Sequence, residues 1–420
     1  MDIVVRKGFV EGVTAAPPSK SYTHRALFCS SLALGESIVE SPLWSKDTEA
    51  TKNALERLGV EADTKPDHWV IKSKGFRASS SEVFCQESGT TIRFATAVSS
   101  LVSGETKLTG ALSLMRRPIE PLLNCLRQLG VDCSSSNGYP PITVKGRGRV
   151  TGGDVSIRGD ISSQFISAVL LIAPYVDKTL TLKLSTPLES KPYVSMTIET
   201  QRRYGVDVYA GEGMHSFIIE RQLYKPSRFR VEGDWSSSAY LLTAGALAGR
   251  VTVKGLRLDS IQADRKILEI LKEMGAKTRE AGGEVTVEKS KIEGIEADLS
   301  NSPDLFPIVA VLCSAADDLS RLKGLHRLRF KESDRLTGMI EGLRKMGVRV
   351  SVRDGEVEII GGKTHGCIIN PENDHRIAMA FAILGLVAEG ETRILDSECV
   401  NKSFPGFWSV LESLGASIRR

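Results

Sequence analysis

Six stretches of this chain are apolar or small on every side, at residues 26–34, 94–102, 166–173, 239–248, 307–316 and 377–388. A helix without a polar face must be buried all round, so these predict six core helices. Between them lie six stretches in which apolar positions recur every three or four residues, at 47–58, 118–129, 194–204, 264–274, 333–346 and 404–414. That period predicts amphipathic helices, each with one face on a core. Every amphipathic stretch closes on a bulky apolar residue, then Gly, then a small or branched residue: Leu58-Gly59-Val60, Leu129-Gly130-Val131, Tyr204-Gly205-Val206, Met274-Gly275-Ala276, Met346-Gly347-Val348 and Leu414-Gly415-Ala416. Glycine just past a helix supplies the left-handed residue that ends it, and the branched residue after it begins a strand. Runs such as Val60-Glu61-Ala62-Asp63-Thr64 and Trp69-Val70-Ile71-Lys72 continue as strands.

The glycines are spaced by 68 to 75 residues. A second marker keeps the same interval just ahead of each core helix: Lys20, Gly89, Asp160, Asp234, Asp304 and Asp374. Each repeat reads strand, loop, buried helix, strand, loop, amphipathic helix, Gly, strand, often with a further strand, which predicts an α/β protein. Six repeats in 420 residues exceed one core, so two lobes of three repeats are expected. Gly152-Gly153 and Gly282-Gly283 read as turns within repeats. Repetition alone also fits a structural solenoid, so the residues that differ between repeats decide the function.

Composition narrows the classes. Hydrophobic residues make up 41% and charged residues 25%, as in a globular protein. The net charge of +4 is small for this length, and no Lys/Arg block with interleaved aromatics points to nucleic acid. The seven cysteines are scattered, odd in number and free of C-x-x-C, which predicts buried thiols in a reducing cytoplasm rather than disulfides or a zinc site. The apolar stretch 377–388 is far shorter than the roughly 20 residues that cross a bilayer. Met1 leads directly into Asp-Ile-Val-Val-Arg-Lys, so no signal peptide is expected.

Chemistry concentrates at the helix starts. The stretch Pro17-Pro18-Ser19-Lys20-Ser21-Tyr22-Thr23-His24-Arg25 places a capping serine and two cations where backbone N–H groups and the helix dipole favour an anion. The other core helices begin with Glu87-Ser88-Gly89-Thr90-Thr91-Ile92-Arg93, Ser162-Ser163-Gln164, Gly233-Asp234-Trp235-Ser236-Ser237-Ser238, Asn301-Ser302-Pro303-Asp304 and Asn373-Asp374-His375-Arg376. Amphipathic helices open with Arg116-Arg117-Pro118, with the proline in the first turn, and with Ser190-Lys191-Pro192-Tyr193, Lys331-Glu332-Ser333-Asp334-Arg335 and Asn401-Lys402-Ser403-Phe404-Pro405. Ser45-Lys46-Asp47 and Asp264-Arg265-Lys266 read as ordinary helix starts. If the starts from both lobes face one cleft, Lys20, Arg25, Arg117, Lys331, Arg335, Arg376 and Lys402 converge there, with Asp304 and Glu332 among them. Arginine holds phosphate or carboxylate through two parallel N–H···O bonds, so the set suits a substrate pair with several negative charges. Read singly, each cation is a solvated surface charge, Asp304 is a helix cap like Asp234 and Asp374, and His375 is a structural histidine.

The whole chain resembles the 5-enolpyruvylshikimate-3-phosphate synthases of the enolpyruvyl transferase family. The resemblance rests on Pro18-Ser19-Lys20-Ser21 with Arg25-Ala26, Ser88-Gly89-Thr90-Thr91-Ile92-Arg93, Arg117-Pro118-Ile119, Ser162-Ser163-Gln164-Phe165 and Ser190-Lys191-Pro192-Tyr193. It continues through Glu232-Gly233-Asp234-Trp235-Ser236-Ser237, Lys331-Glu332-Ser333-Asp334-Arg335, Asp374-His375-Arg376 and Lys402-Ser403-Phe404-Pro405. It implies two similar lobes, each of three βαβαββ units with buried helices and outward-facing sheets. Residues 1–18 with 233–420 would form one lobe and 19–232 the other, closing around substrate with the two crossings as hinges.

The reaction implied is transfer of the enolpyruvyl group of phosphoenolpyruvate to the 5-hydroxyl of shikimate 3-phosphate, in the shikimate pathway to chorismate and aromatic amino acids. No metal or organic cofactor is implied; the protein is expected to be a cytoplasmic monomer, with glyphosate as a competitive mimic of one substrate. Carried over, Lys20, Ser21, Arg25, Ser162, Ser163, Gln164, Ser190, Asp304 and Lys331 hold shikimate 3-phosphate. Lys20, Gly89, Arg117, Gln164, Arg335, Arg376 and Lys402 hold phosphoenolpyruvate. Asp304, Glu332 and Lys20 are the expected acid–base groups, with Asp304 taking the hydroxyl proton, Glu332 serving C3 and Lys20 protonating the departing phosphate.

The chain departs from the commoner pattern at Glu87 for Asn, Thr91 for Ala, Phe94 for Pro and His24 for Asn. Arg327 stands in place of an Asn on shikimate 3-phosphate, where it could still bind phosphate. Two alternatives remain: a UDP-N-acetylglucosamine enolpyruvyl transferase, which usually carries a reactive Cys in the loop that here reads Ala111-Leu112-Ser113-Leu114-Met115-Arg116-Arg117, and a non-catalytic anion-binding repeat protein.

Overall fold

The computed structural model describes residues 1–77 and 82–420. The chain divides into two compact units, Met1–Pro17 with Glu232–Arg420 and Pro18–Val231, so it passes between them twice. Each unit has its own hydrophobic core.

Twelve α-helices are present among the described residues, two per repeat. In the unit Pro18–Val231 they are α1 (Lys20–Leu32), α2 (Lys46–Arg57), α3 (Gly89–Ser99), α4 (Glu120–Gln128), α5 (Ser163–Ile172) and α6 (Lys191–Arg203). In the other they are α7 (Trp235–Ala248), α8 (Lys266–Glu273), α9 (Phe306–Ser314), α10 (Arg335–Lys345), α11 (His375–Gly385) and α12 (Phe407–Ser413). Odd-numbered helices are the buried ones; every residue of α9 and of α11 lies in the interior. Even-numbered helices bury one face: α8 contributes Ile267, Leu268, Ile270 and Leu271 to the core. The six glycines of the repeated signature all take positive φ, between 77° and 95°, which ends each amphipathic helix and starts the next strand.

Among the described residues six four-stranded sheets cover the helices, one per repeat. Each contains one parallel pair, as Glu82–Phe84 and Ser103–Thr109 flank α3; five of them add a hairpin beyond the amphipathic helix, and in the sixth Ile418–Arg419 pairs with the N-terminal strand Ile3–Arg6 instead. The runs expected from alternation pair as Glu61–Thr64 against His68–Ser73, with Asp63 opposite Val70. The N-terminal residues complete two sheets of their unit: Val10–Ala15 runs parallel to Gly249–Lys254, and Ile3–Arg6 lies antiparallel to Glu391–Ile394.

The buried helices start one to six residues before their apolar runs, and the lead is longest where the first turn carries polar residues, as Lys20 and Ser21 do in α1. Ser19, Ser88 and Ser162 cap α1, α3 and α5, and Asp234 and Asp374 cap α7 and α11. Asp304 is not a cap: it sits in a 3-10 turn, Pro303–Leu305, and α9 has no side-chain cap. Pro118 precedes α4 rather than opening it, and Pro121 takes the first-turn place. All seven cysteines are free thiols; six are buried and Cys367 is half-buried. Among the described residues no helix is long and apolar enough to cross a membrane.

Candidate active site

In repeat after repeat the start of the buried helix lies beside the start of the amphipathic helix. Lys20 Nζ bonds to Asp47 Oδ2 at 2.9 Å, Lys331 Nζ to Asp304 Oδ1 at 3.1 Å, and Lys402 Nζ to the Asn373 carbonyl at 2.6 Å. Ser236 and Asp264 make the same kind of pair. Gly89 packs against Arg117, whose Nη1 would lie 2.6 Å from a Cβ at that position. The repeated frame thus gathers the sequence's candidate groups, and only their identities vary.

The densest cluster surrounds Asp304 in the unit that holds both termini. Its Oδ1 accepts from Lys331 and, at 2.9 Å, from Arg335 Nη1; its Oδ2 accepts from Arg376 Nη2 at 3.0 Å. Arg335 is buried and also donates to Glu332 Oε2 at 2.6 Å and to both oxygens of Asp374. Burial opposes ionisation of Asp304, yet Arg376, Lys331 and Arg335 outweigh it and hold its carboxyl well below the usual carboxylate range. Burial lowers the Lys331 pKa from that of an ordinary lysine, with Asp304 opposing. Lys402 joins through Asn373, next to Asp374. Arg327 is buried and donates to the Ser300 carbonyl at 2.6 Å.

Asp264, read from sequence as an ordinary helix start, belongs to this neighbourhood. It is buried, its Oδ2 accepts from the Ser236 hydroxyl, and its Oδ1 has no hydrogen-bond partner among the described residues. Burial and the Asp304 charge push its pKa up to about 7, against the pull of Arg376. Two acids in one field separate, one ionised and one protonated near neutrality.

In the unit Pro18–Val231, α1 presents Lys20 and Ser21 in its first turn and Arg25 one turn on. Arg25 is buried and donates to Thr197 Oγ1 at 2.8 Å, the Ser21 carbonyl at 2.9 Å and the Tyr193 carbonyl at 2.7 Å. These partners are all neutral, and burial lowers the Arg25 pKa to about 10. A buried cation with only neutral partners favours an anionic ligand. Ser162 and Ser163 open α5; Gln164 accepts from Arg93 and donates to Thr90 Oγ1 at 2.9 Å. Ser190, at a left-handed φ of 55°, opens α6.

Each unit therefore carries its own set of the expected residues: Asp304, Glu332, Lys331, Arg335, Arg376 and Lys402 in one, Lys20, Ser21, Arg25, Gly89, Arg117, Ser162, Ser163, Gln164 and Ser190 in the other. Asp47, Arg93 and Asp374 bond to these groups and Asp264 lies in the field of Asp304 and Arg376; none of the four is among the expected site residues. Asp47 and Asp264 stand 27 and 28 residues after Lys20 and Ser236, as Lys331 stands 27 after Asp304. That shared interval is the sequence signal that points to them.

Repeated α/β units with buried helices, and with cations and carboxylates at their starts, define the enolpyruvyl transferase class. Solved structures agree. EPSP synthase from Acinetobacter baumannii matches with a TM-score of 0.84 at 26% identity, covering 100% of this chain and 99% of that one. The enolpyruvyl transferase NikO from Streptomyces tendae matches in fold, with a TM-score of 0.81 at 18% identity over 100% and 98% of the two chains. Residues 5–411 match the EPSP synthase (3-phosphoshikimate 1-carboxyvinyltransferase) family, and the chain belongs to it. Relatives named 3-phosphoshikimate 1-carboxyvinyltransferase include those of Methanocorpusculum labreanum, 42% identical over 100% of both chains, and Dehalococcoides mccartyi, 41% identical over 100% of this chain and 99% of that one.

Proposed function

We propose that this protein transfers the enolpyruvyl group of phosphoenolpyruvate to the 5-hydroxyl of shikimate 3-phosphate and releases phosphate, the shikimate-pathway step toward chorismate and the aromatic amino acids. The observation that carries this reading is the Asp304 carboxylate held by Lys331, Arg335 and Arg376, with Glu332 on the same arginine. Membership of the family supports it along the whole chain.

The hydroxyl oxygen attacks C2 of the enol phosphate while C3 gains a proton. The tetrahedral product then loses a proton from C3, and the bond from C2 to the phosphate oxygen breaks. Both halves need an acid and a base. We assign Asp304 to the hydroxyl proton, Glu332 to the proton at C3 and Lys20 to the departing phosphate. With three cations on it, Asp304 is a poor base. Phosphoenolpyruvate brings a carboxylate and a phosphate that compete for Arg335 and Arg376. As those arginines turn to substrate, the burial of Asp304 is opposed less and its proton affinity rises.

To shikimate 3-phosphate we assign Lys20, Ser21, Arg25, Ser162, Ser163, Gln164, Ser190, Asp304, Arg327 and Lys331. To phosphoenolpyruvate we assign Lys20, Gly89, Arg117, Gln164, Arg335, Arg376 and Lys402. Fixed N–H donors of these cations stabilise the charge that builds on the substrate oxygens. The reading includes action in the cytoplasm, as a monomer.

The test is incubation with both substrates. Phosphate release that requires phosphoenolpyruvate and shikimate 3-phosphate together supports the reading. Release only with UDP-N-acetylglucosamine, or with neither acceptor, rejects it.

A further inference from the structure

Beneath the start of α1, α2 and α3 runs a chain of buried polar side chains that no step above uses. His24 Nδ1 lies 2.8 Å from Thr51 Oγ1, Thr51 Oγ1 lies 2.6 Å from Thr91 Oγ1, and Thr91 Oγ1 donates to Ser88 Oγ at 2.6 Å. Ser88 Oγ also accepts from the Thr91 amide at 3.2 Å. All four side chains are buried. Their spacing places them one helical turn below residues already described: His24 is four residues after Lys20, Thr51 four after Asp47, and Thr91 three after Ser88, which precedes Gly89.

The direction of the chain follows from its far end. With the Thr91 hydroxyl donating to Ser88, Thr91 Oγ1 accepts from the Thr51 hydroxyl, and Thr51 Oγ1 accepts from His24. The His24 proton therefore sits on Nδ1. Burial, with Lys20 and Arg25 nearby, pushes the imidazole pKa well below its ordinary value, so the ring stays neutral. Its Nε2 is buried without a hydrogen-bond partner, as befits a ring nitrogen that carries no proton. A buried chain in which both threonine hydroxyls are oriented favours one geometry, since a slip leaves a donor unpaired.

We propose that His24, Thr51 and Thr91 are positioning residues that fix the spacing of Lys20, Asp47 and Gly89, and so hold Gly89 at its contact distance from Arg117. This rests on the assignment of Gly89 and Arg117 to phosphoenolpyruvate. Thr91 is tied most directly to the Gly89 turn, so its hydroxyl governs that substrate rather than shikimate 3-phosphate.

Thr91→Val keeps the shape and removes the hydroxyl, whereas Thr91→Ser restores a hydroxyl on a smaller side chain. Thr91→Val is expected to raise KM for phosphoenolpyruvate about 3- to 10-fold, as for loss of one buried hydrogen bond, with kcat and KM for shikimate 3-phosphate within about twofold of wild type. Thr91→Ser should recover most of the difference. Nitrogen-15 NMR of the full chain should show a neutral His24 protonated at Nδ1, with that signal shifting in Thr91→Val. Equal rises in both KM values, an unchanged KM in Thr91→Val, or His24 protonated at Nε2 would each overturn the proposal. Absence of turnover in the wild-type protein would defeat the functional reading instead, while the His24 tautomer still judges the chain.

Discussion

Lys20 pairs with Asp47 at 2.9 Å as Asp304 pairs with Lys331 at 3.1 Å, each pair spanning 27 residues and the charges exchanged between them. The same two places in the repeat thus hold a cation then an acid in one unit, and an acid then a cation in the other. A duplicated backbone supplies the proximity, and side-chain choice supplies opposite chemistry at equivalent points. Either pair loses a partner when one residue is removed, which leaves a partly buried charge to be solvated at some cost.

Asp304→Ala removes the acceptor of three cations but no cation. The variant is expected to fold, with stability lowered by about 1–3 kcal/mol for the partners left behind. It should still bind phosphoenolpyruvate and lose at least about 100-fold in kcat, the scale of one general base. Single-turnover phosphate release with both substrates measures this; a kcat within about threefold of wild type would remove Asp304 from the acid–base role.

Gly89→Ala meets a stated obstacle. Its Cβ would lie 2.6 Å from Arg117 Nη1 and 2.8 Å from the guanidinium carbon, so the Arg117 head must shift. Phosphoenolpyruvate affinity is expected to fall about tenfold, near 1.4 kcal/mol, while shikimate 3-phosphate affinity stays within about twofold. Calorimetric titration of each ligand decides it, and equal losses for the two would count against the placement.

The buried acid Asp264 gives a pH signature. Its pKa, pushed up to about 7 by burial and the Asp304 charge, exceeds that of an unfolded aspartate near 4. Both states are protonated at lower pH, so its native environment costs nothing there. Between about pH 4 and 7 the unfolded chain ionises first, and stability falls until the native acid has ionised too. Asp264→Asn should remove this slope and gain about 1–4 kcal/mol on wild type at pH 8 relative to pH 4, as read from urea unfolding at both. Parallel pH profiles for the two proteins would refute the assignment.

Thiol reactivity should be low. Burial raises the pKa of Cys29, Cys85, Cys125, Cys133, Cys313 and Cys399, and more modestly that of the half-buried Cys367. Iodoacetamide at neutral pH is expected to label Cys367 alone in the native protein and all seven thiols in urea, by mass spectrometry. Fast native labelling at Cys29 or Cys85 would contradict the buried positions.

Much of the fold is legible in the sequence because two periodic signals coincide. All-apolar helices and glycine-terminated amphipathic ones leave few other architectures, and Gly59 or Gly347 could hardly mean anything but a helix end. The first turns of the buried helices are harder to read, because Lys20, Gly89 and Ser163 interrupt the apolar pattern that would announce a helix. Taken singly Asp304 reads as a cap like Asp234 and Asp374, and taken with the other helix starts it reads as a site carboxylate; it lies in the 3-10 turn Pro303–Leu305 and accepts from Arg335. In the sequence Asp47 and Asp264 resemble ordinary first-turn acids, since their partners lie 27 and 28 residues away and only folding brings them near.

The N-terminal strand Ile3–Arg6 also pairs with Ile418–Arg419, setting Val4 opposite Arg419. During synthesis residues 18–231 emerge complete, while Val10–Ala15 waits for Gly249–Lys254 and Ile3–Arg6 for strands made near the end of the chain. Because Ile3–Arg6 and Ile418–Arg419 are neighbours in one sheet, a short peptide could join Arg420 to Met1. A new opening between Pro17 and Pro18 would then turn an interleaved polypeptide into two consecutive ones, each with all its strands in a row.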